Sequence, residues 1–402
     1  MIELTTRHVR TAPAVATTAF AFLVVMMGTT LPTPLYSIYA AQLGFSSLIV
    51  TVLFAVYALG VVGALTVFGR LSDEIGRRPV LLLAVTMAVV SAALFLLPPS
   101  LPLLIVARVI SGLGAGLMSG AGTAAVIDLF APERKASAGA LAVGVNTGGL
   151  ALGTLLAGVL ADLTTAPLTV PFVVHLALSL LALAGLWLYA PKAAAAGTWR
   201  VRPRRLRVPA EIHGAFVRAV LAAGSAFAVT GVLTAVSALF LAKYLHLPSH
   251  SLAGFEVFLA FAGMAIGQLA ARRMKPRTAL PAGCAGLVEA AVLLAVALLV
   301  NSLAALIAAA VVLGLSGGLC LNAGIATTVE QVPPAHRAEV SSSFFAGLYL
   351  MLAVPAIGVG ALSAVSGLRD AGLVFAVAVA VLAGLTGVME LRSSRTAVAA
   401  GN

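Results

Sequence analysis

The chain has 402 residues, of which 61% are apolar and only 9% charged. A soluble domain carries roughly 45–50% apolar and about 25% charged residues, so a water-soluble globule is excluded. A disordered chain, poor in apolar residues, is excluded with it. The formal net charge is +11, from 24 Lys and Arg against 13 Asp and Glu, and its meaning depends on where the charges stand.

A membrane-spanning helix takes about 20 apolar residues. In chain order the first half offers apolar runs at 13–34, 46–68, 79–97, 101–126, 137–161 and 167–190. The second half offers 216–242, 249–270, 279–300, 302–328, 340–364 and 371–390. Each must be helical, because unpaired backbone amides are not tolerated in hydrocarbon. The opening MIELTTRHVR and the run after it have signal-peptide elements. That run exceeds an ordinary h-region of roughly 7–15 residues, and it is read as the first span. The loops between twelve spans are too short for a sizeable soluble domain.

An even number of spans puts both termini on one side. That side holds Arg7, Arg10, Arg77, Arg78, Arg134, Lys135, Arg272, Arg273, Lys275, Arg277 and Arg337. The opposite loops hold Lys243 and Arg369, and Arg108 falls within a span. This asymmetry is a positive-inside signal, and it predicts cytoplasmic termini. The densest basic run, Arg200–Arg207, follows span six. It is read as part of a cytoplasmic linker, 191–215, in contact with lipid headgroups rather than with nucleic acid.

The second half echoes the first. Gly69-Arg-Leu-Ser-Asp73-Glu-Ile-Gly76-Arg77-Arg78-Pro79 follows span two, and Gly267-Gln-Leu-Ala-Ala271-Arg-Arg-Met-Lys275 follows span eight. Asp128-Leu-Phe-Ala-Pro132-Glu-Arg134-Lys135 follows span four, and Glu330-Gln-Val-Pro-Pro334-Ala-His336-Arg337 follows span ten. The repeat predicts two six-helix bundles, 1–190 and 216–402, related by an axis along the membrane normal. A substrate path would run between them.

The segment Gly69, Leu71, Asp73, Gly76, Arg77, Arg78 resembles the signature that the major facilitator superfamily carries between spans two and three, with Glu74 where a basic residue is usual. Arg108 and Gly112 in span four resemble a second motif of that family. Gly144, Gly148, Gly149 and Gly153 in span five resemble the glycine-rich motif of its drug/proton antiporters, with Gly149 where a proline is usual. The resemblance implies an all-α membrane protein of twelve helices in two pseudo-symmetric bundles. It also implies proton-coupled transport, with export ahead of uptake; the apolar and aromatic groups of the spans, with scattered amides and hydroxyls, suit a small amphipathic or lipophilic molecule. A non-transporting receptor or scaffold is the reading from another class. The expected setting is a bacterial plasma membrane, with membrane lipids, protons and a small-molecule substrate as partners and a monomer as the working unit.

The resemblance further implies that Asp73 meets the N-terminus of span eleven when the inner gate closes, where the helix dipole favours a negative charge. Arg77 is expected to pair with Asp128 beside it. The small residues of span five allow close helix approach in lipid, either against the other bundle or as ordinary packing.

Ionisable groups within spans are functional candidates by default. Glu256 stands 11 residues before Gly267, about 16 Å at 1.5 Å per residue, and leads as the proton-binding group. Glu289 and His175 follow, on spans that the family places at the periphery. Arg108 requires partners, yet spans one to three offer no acid, which leaves Asp162 or backbone carbonyls. Tyr36, Tyr57, Asn146, Thr230, Asn322 and Tyr349 are candidates for the substrate path. No cofactor or metal is expected. Cys284 and Cys320 lie in apolar runs, no His/Asp/Glu cluster suggests an enzyme, and no Walker sequence is present.

Overall fold

The computed structural model describes residues 2–69, 71–191 and 208–400. The side chains of residues 2–11, Asp73, 334–335, 338 and 394–400 lie outside that description. The basic run of the linker falls on undescribed residues. Among the described residues there is no strand, and twelve helices are long and apolar enough to cross a membrane.

The first six spans are Ile2–Thr30, Ser47–Val67, Arg77–Phe95, Leu101–Asp128, Lys135–Leu163 and Val170–Tyr189. The second six are His213–Tyr244, His250–Ala271, Pro276–Val300, Leu303–Thr328, Pro334–Ser366 and Leu368–Ala400. Local chemistry sets several ends. Ser46, Ser249 and Ser302 each accept the backbone N–H three residues on, at spans two, eight and ten, the usual work of a helix N-cap. Proline opens spans four, six, nine and eleven, where its missing N–H has no helical partner to lose. Pro32 and Pro34 end span one early, and the chain re-forms as a short helix, Tyr36–Leu43. Tyr36, two residues beyond the first apolar run, therefore belongs to a separate element.

Backbone-to-backbone contacts hold the spans of each half. A Cβ added at Gly60 would meet the carbonyl of Val109 and the Cα of Gly112, which binds span two to span four. Some two hundred residues later, Gly263 and Gly314 make the matching contact between spans eight and ten. Without an interhelical hydrophobic effect in lipid, such close approach is what gives helices their packing energy. The sequence repeat thus reappears as equivalent helix contacts.

Between the halves, span two packs on span eleven and span five on span eight. Both contacts are tightest at the end away from the basic loops. There Ser47 and Ser363 share a hydrogen bond of 2.6 Å, and the Thr154 hydroxyl donates to the Gly254 carbonyl at 3.1 Å. Leu31, Leu35, Tyr39, Val50, Phe54 and Phe240 belong to one buried apolar cluster there.

Candidate functional site

A cavity of about 540 Å³ lies between the halves. Spans one, two, four, five, seven, eight, ten and eleven line it, with Arg77 and Val80 from the inner end of span three; among the described residues, spans six, nine and twelve contribute nothing. Its lining reaches Gly69, Ser72, Arg77, Arg272 and Ser341 at the basic face. The opposite end is shut.

The shut end is held across the halves by Asp162, the last acid of span five. Its carboxylate accepts from the backbone N–H of His250 (3.1 Å) and Ser251 (2.8 Å), from the Ser249 hydroxyl (2.8 Å) and from His250 Nδ1 (2.8 Å). A carboxylate of one half thereby caps the first turn of a helix of the other. Such a charge is favourable at a helix N-terminus, where backbone N–H groups are otherwise unpaired. Asp162 does not serve Arg108, one of the two partners the sequence leaves open.

The cavity wall is aromatic and apolar with scattered amides and hydroxyls. Tyr349 of span eleven bridges the halves, edge-on to Tyr57 of span two at 6.2 Å and to Phe227 of span seven at 6.0 Å between ring centroids. Of the substrate-path candidates, Tyr57, Asn146, Thr230 and Tyr349 line the cavity. Tyr36 and Asn322 stand outside its lining: Tyr36 is buried at the shut end, and on span ten it is Leu321 and Ile325 that face the cavity. Phe261, Gln268 and Phe345 line it and were missed, because in a helix that is apolar all round nothing in the pattern marks the inner face.

Arg108 is fully buried one layer behind this wall. It donates to the carbonyls of Thr29 (2.6 Å) and Leu53 (3.3 Å) and lies over the Tyr57 ring at 4.7 Å. These are backbone partners, the second alternative from the sequence, and its Nη2 has none.

Glu256 is also fully buried and outside the cavity lining. Ser237 of span seven donates to its Oε2, while Oε1 has no partner. Span eight continues past Gly267 to Ala271, so Glu256 lies about 9 Å from the shut end at 1.5 Å per residue, well above the midplane placement counted from Gly267. His175 is buried and its Nε2 meets the Val24 carbonyl at 3.0 Å, tying span six to span one. Glu289 is exposed on the outer side of span nine.

At the basic face Gly76 adopts φ +89°, a left-handed turn that suits glycine. Arg77 Nε meets Asp128 Oδ2 at 3.2 Å and its Nη1 donates to Ser72 Oγ at 2.6 Å. Arg78 donates to the Trp187 carbonyl at 2.5 Å. The side chain of Asp73 lies outside the described residues.

The span-five glycines divide by role. Gly149 and Gly153 lie on span one of their own half, where an added Cβ would strike the carbonyls of Leu23 and Met27. Gly144 and Gly148 have nothing within 4 Å of that position. The close contact with the other half falls one turn further on, where Gly158 abuts the His250 carbonyl and Gly254 the Thr154 carbonyl. The helical turn between Gly153 and Gly158 rotates the surface from one neighbour to the other.

The profile of the Major Facilitator Superfamily matches residues 18–356. The chain belongs to the major facilitator superfamily. Membership and the twelve spans make it a multi-pass membrane protein. A stretch of 107 residues is 37% identical to the drug efflux pump JefA of Mycobacterium tuberculosis, in strains CDC 1551 / Oshkosh and ATCC 25618 / H37Rv. The match spans 26% of this chain and 21% of the curated relatives, about a fifth of their length. Among solved structures, a bacterial homologue of the human lysosomal transporter Spinster, inward-facing and unoccupied, superposes with TM-score 0.70 at 17% identity, over 95% of this chain and 98% of that one. A mutant of the nucleoside transporter NupG gives 0.72 at 13% identity, over 94% and 99%. At such identities the likeness shows the major facilitator fold.

Proposed function

We propose that the chain is a secondary active exporter that exchanges protons for a small amphipathic or lipophilic molecule by alternating access. The observation that carries this reading is the cavity shared by both halves, reaching the basic face and shut at the other. With the basic face in the cytoplasm, as the Lys and Arg asymmetry argues, the structure corresponds to the inward-facing state. The bundles 1–190 and 216–402, joined by 191–215, would rock about this cavity in a bacterial plasma membrane as a monomer. The local likeness to a drug efflux pump supports export over uptake.

Asp73, Gly76, Arg77, Arg78 and Asp128 form the inner gate in this reading, with Arg77 held ready between Ser72 and Asp128. Glu256 carries the coupling proton. It is a buried carboxyl with one unpartnered oxygen, packed between spans seven and eight. Its position outside the cavity makes the coupling indirect: protonation alters the packing of spans seven and eight rather than competing for the substrate's seat. Arg108 shapes the wall, and His175 and Glu289 serve structure.

The test is accumulation of a compound panel in a pump-deficient host, with wild type against Glu256→Gln. The expected result is a proton-gradient-dependent fall in the cell content of some compounds, lost in the variant. A rise in content with wild type would establish uptake. Export that is unaffected by Glu256→Gln would remove the proton from that residue.

A further inference from the structure

Among the described residues that line the cavity the charges are of one sign, and that bears on what can rest in it. Among the described lining residues there is no Asp or Glu. Two arginines are present, Arg77 and Arg272. Arg77 is balanced by Asp128, which stands outside the lining. Arg272 is not balanced: it is exposed at the rim, gives one N–H to the Ala136 carbonyl at 3.1 Å, and has no described carboxylate within 4 Å.

A third positive charge stands behind the wall. Arg108, in cation–π contact with the cavity-lining Tyr57, has no described carboxylate within 4 Å and one nitrogen without any partner. The buried acid of the other half, Glu256, is outside the lining and turned to Ser237. The buried charge of Arg108 acts over longer range and with less screening than one in water, whereas that of Arg272 at the rim is screened by salt. A cation entering this cavity would approach Arg272 and Arg108 and find no counter-carboxylate among the described lining residues. An anion would find both arginines favourable.

We propose that the cavity takes amphipathic organic anions, with the ring body against Phe227, Phe261, Phe345 and Tyr349 and the charged head toward Arg272 at the basic face, the buried Arg108 adding a positive field from the far end of the wall. This rests on the reading of the cavity as the substrate path. Exchange of such an anion for an entering proton moves positive charge inward on both legs, so an inside-negative membrane voltage drives each of them.

The experiment is calorimetric titration of the full chain in lipid nanodiscs, with protein-free nanodiscs as the blank. The probes share one ring system and differ in charge: naphthylacetate, naphthylacetamide and naphthylethylamine. The expected order of affinity is anion, amide, amine, with about tenfold or more between the extremes. Added salt should weaken the anion alone. Arg272→Gln should bring the anion several-fold toward the amide and leave the amide unchanged. Equal affinities, tighter binding of the amine, or no heat from the anion at millimolar concentration would overturn the proposal, and the salt series decides it even if the variant does not fold. The two readings fail separately. Selective anion binding without proton-driven movement in sealed vesicles would defeat the exporter, and proton-driven export of a cation would defeat the charge selection.

Discussion

Replacing Asp162 with Ala should unfasten the shut end of the cavity. The side chain accepts four hydrogen bonds, two of them from the backbone N–H groups that open span eight. Loss of an N-cap side chain costs about 0.5–2 kcal/mol, and a hydrogen bond to a charged group contributes about 1.5–3 kcal/mol. The carboxylate is a quarter exposed, so water replaces part of what is lost, as at surface ion pairs. A net loss of about 2–3 kcal/mol is reasonable, which is roughly a 30- to 150-fold shift toward the state open at that end. Val50 is 1% exposed in the apolar cluster there. A cysteine at Val50, in a background where Cys284 and Cys320 are replaced by Ala, reports the opening through its labelling rate with a membrane-impermeant maleimide. That rate should rise by the same factor when Asp162→Ala is added. A rate unchanged within about twofold would show that the carboxylate does not hold the two halves together.

Gly153→Ala should lower the thermal unfolding midpoint in detergent, since its Cβ would meet the Met27 carbonyl and the Thr30 hydroxyl, an overpacking of about 1–3 kcal/mol. Gly148→Ala meets nothing within 4 Å and should leave the midpoint in place; equal midpoints for the two variants would refute the assigned contacts. Arg108→Lys keeps the charge but cannot reach the Thr29 and Leu53 carbonyls together while covering Tyr57, and denaturation should register a loss of about 1–3 kcal/mol. Asp128→Asn removes a pair whose side chains are 33% and 59% exposed, worth under about 1 kcal/mol. Its midpoint should hold while transport falls, and a large drop in stability would instead make the pair a structural brace.

The fold was accessible from composition because hydrocarbon permits few solutions: twelve apolar runs had to be twelve helices, and the repeated basic loops gave the halves. The Arg77–Asp128 pair also followed, since both sit at helix ends on one face. The interior did not follow as well. Tyr57 and Asn146 line the cavity and Tyr36 and Asn322 do not, a distinction of helix rotation that a span without a polar face does not record. Pro32 and Pro34 moved Tyr36 into a separate helix. Asp162 was visible only as a charge near a span end, since its four donors come from a segment 87 to 89 residues away.

The glycine seams of spans two with four, and eight with ten, distribute mechanical compliance unevenly. Where Gly60 faces Gly112 and Gly263 faces Gly314, main chain rests on main chain, and no layer of side chains exists that could change rotamer to absorb a displacement. Each half is stiff along those lines. Strain from a moving span therefore surfaces between the halves, and Ser47–Ser363 and Asp162 with its donors, joints made by side-chain hydrogen bonds, are the places where a small wedge-shaped molecule would arrest the assembly.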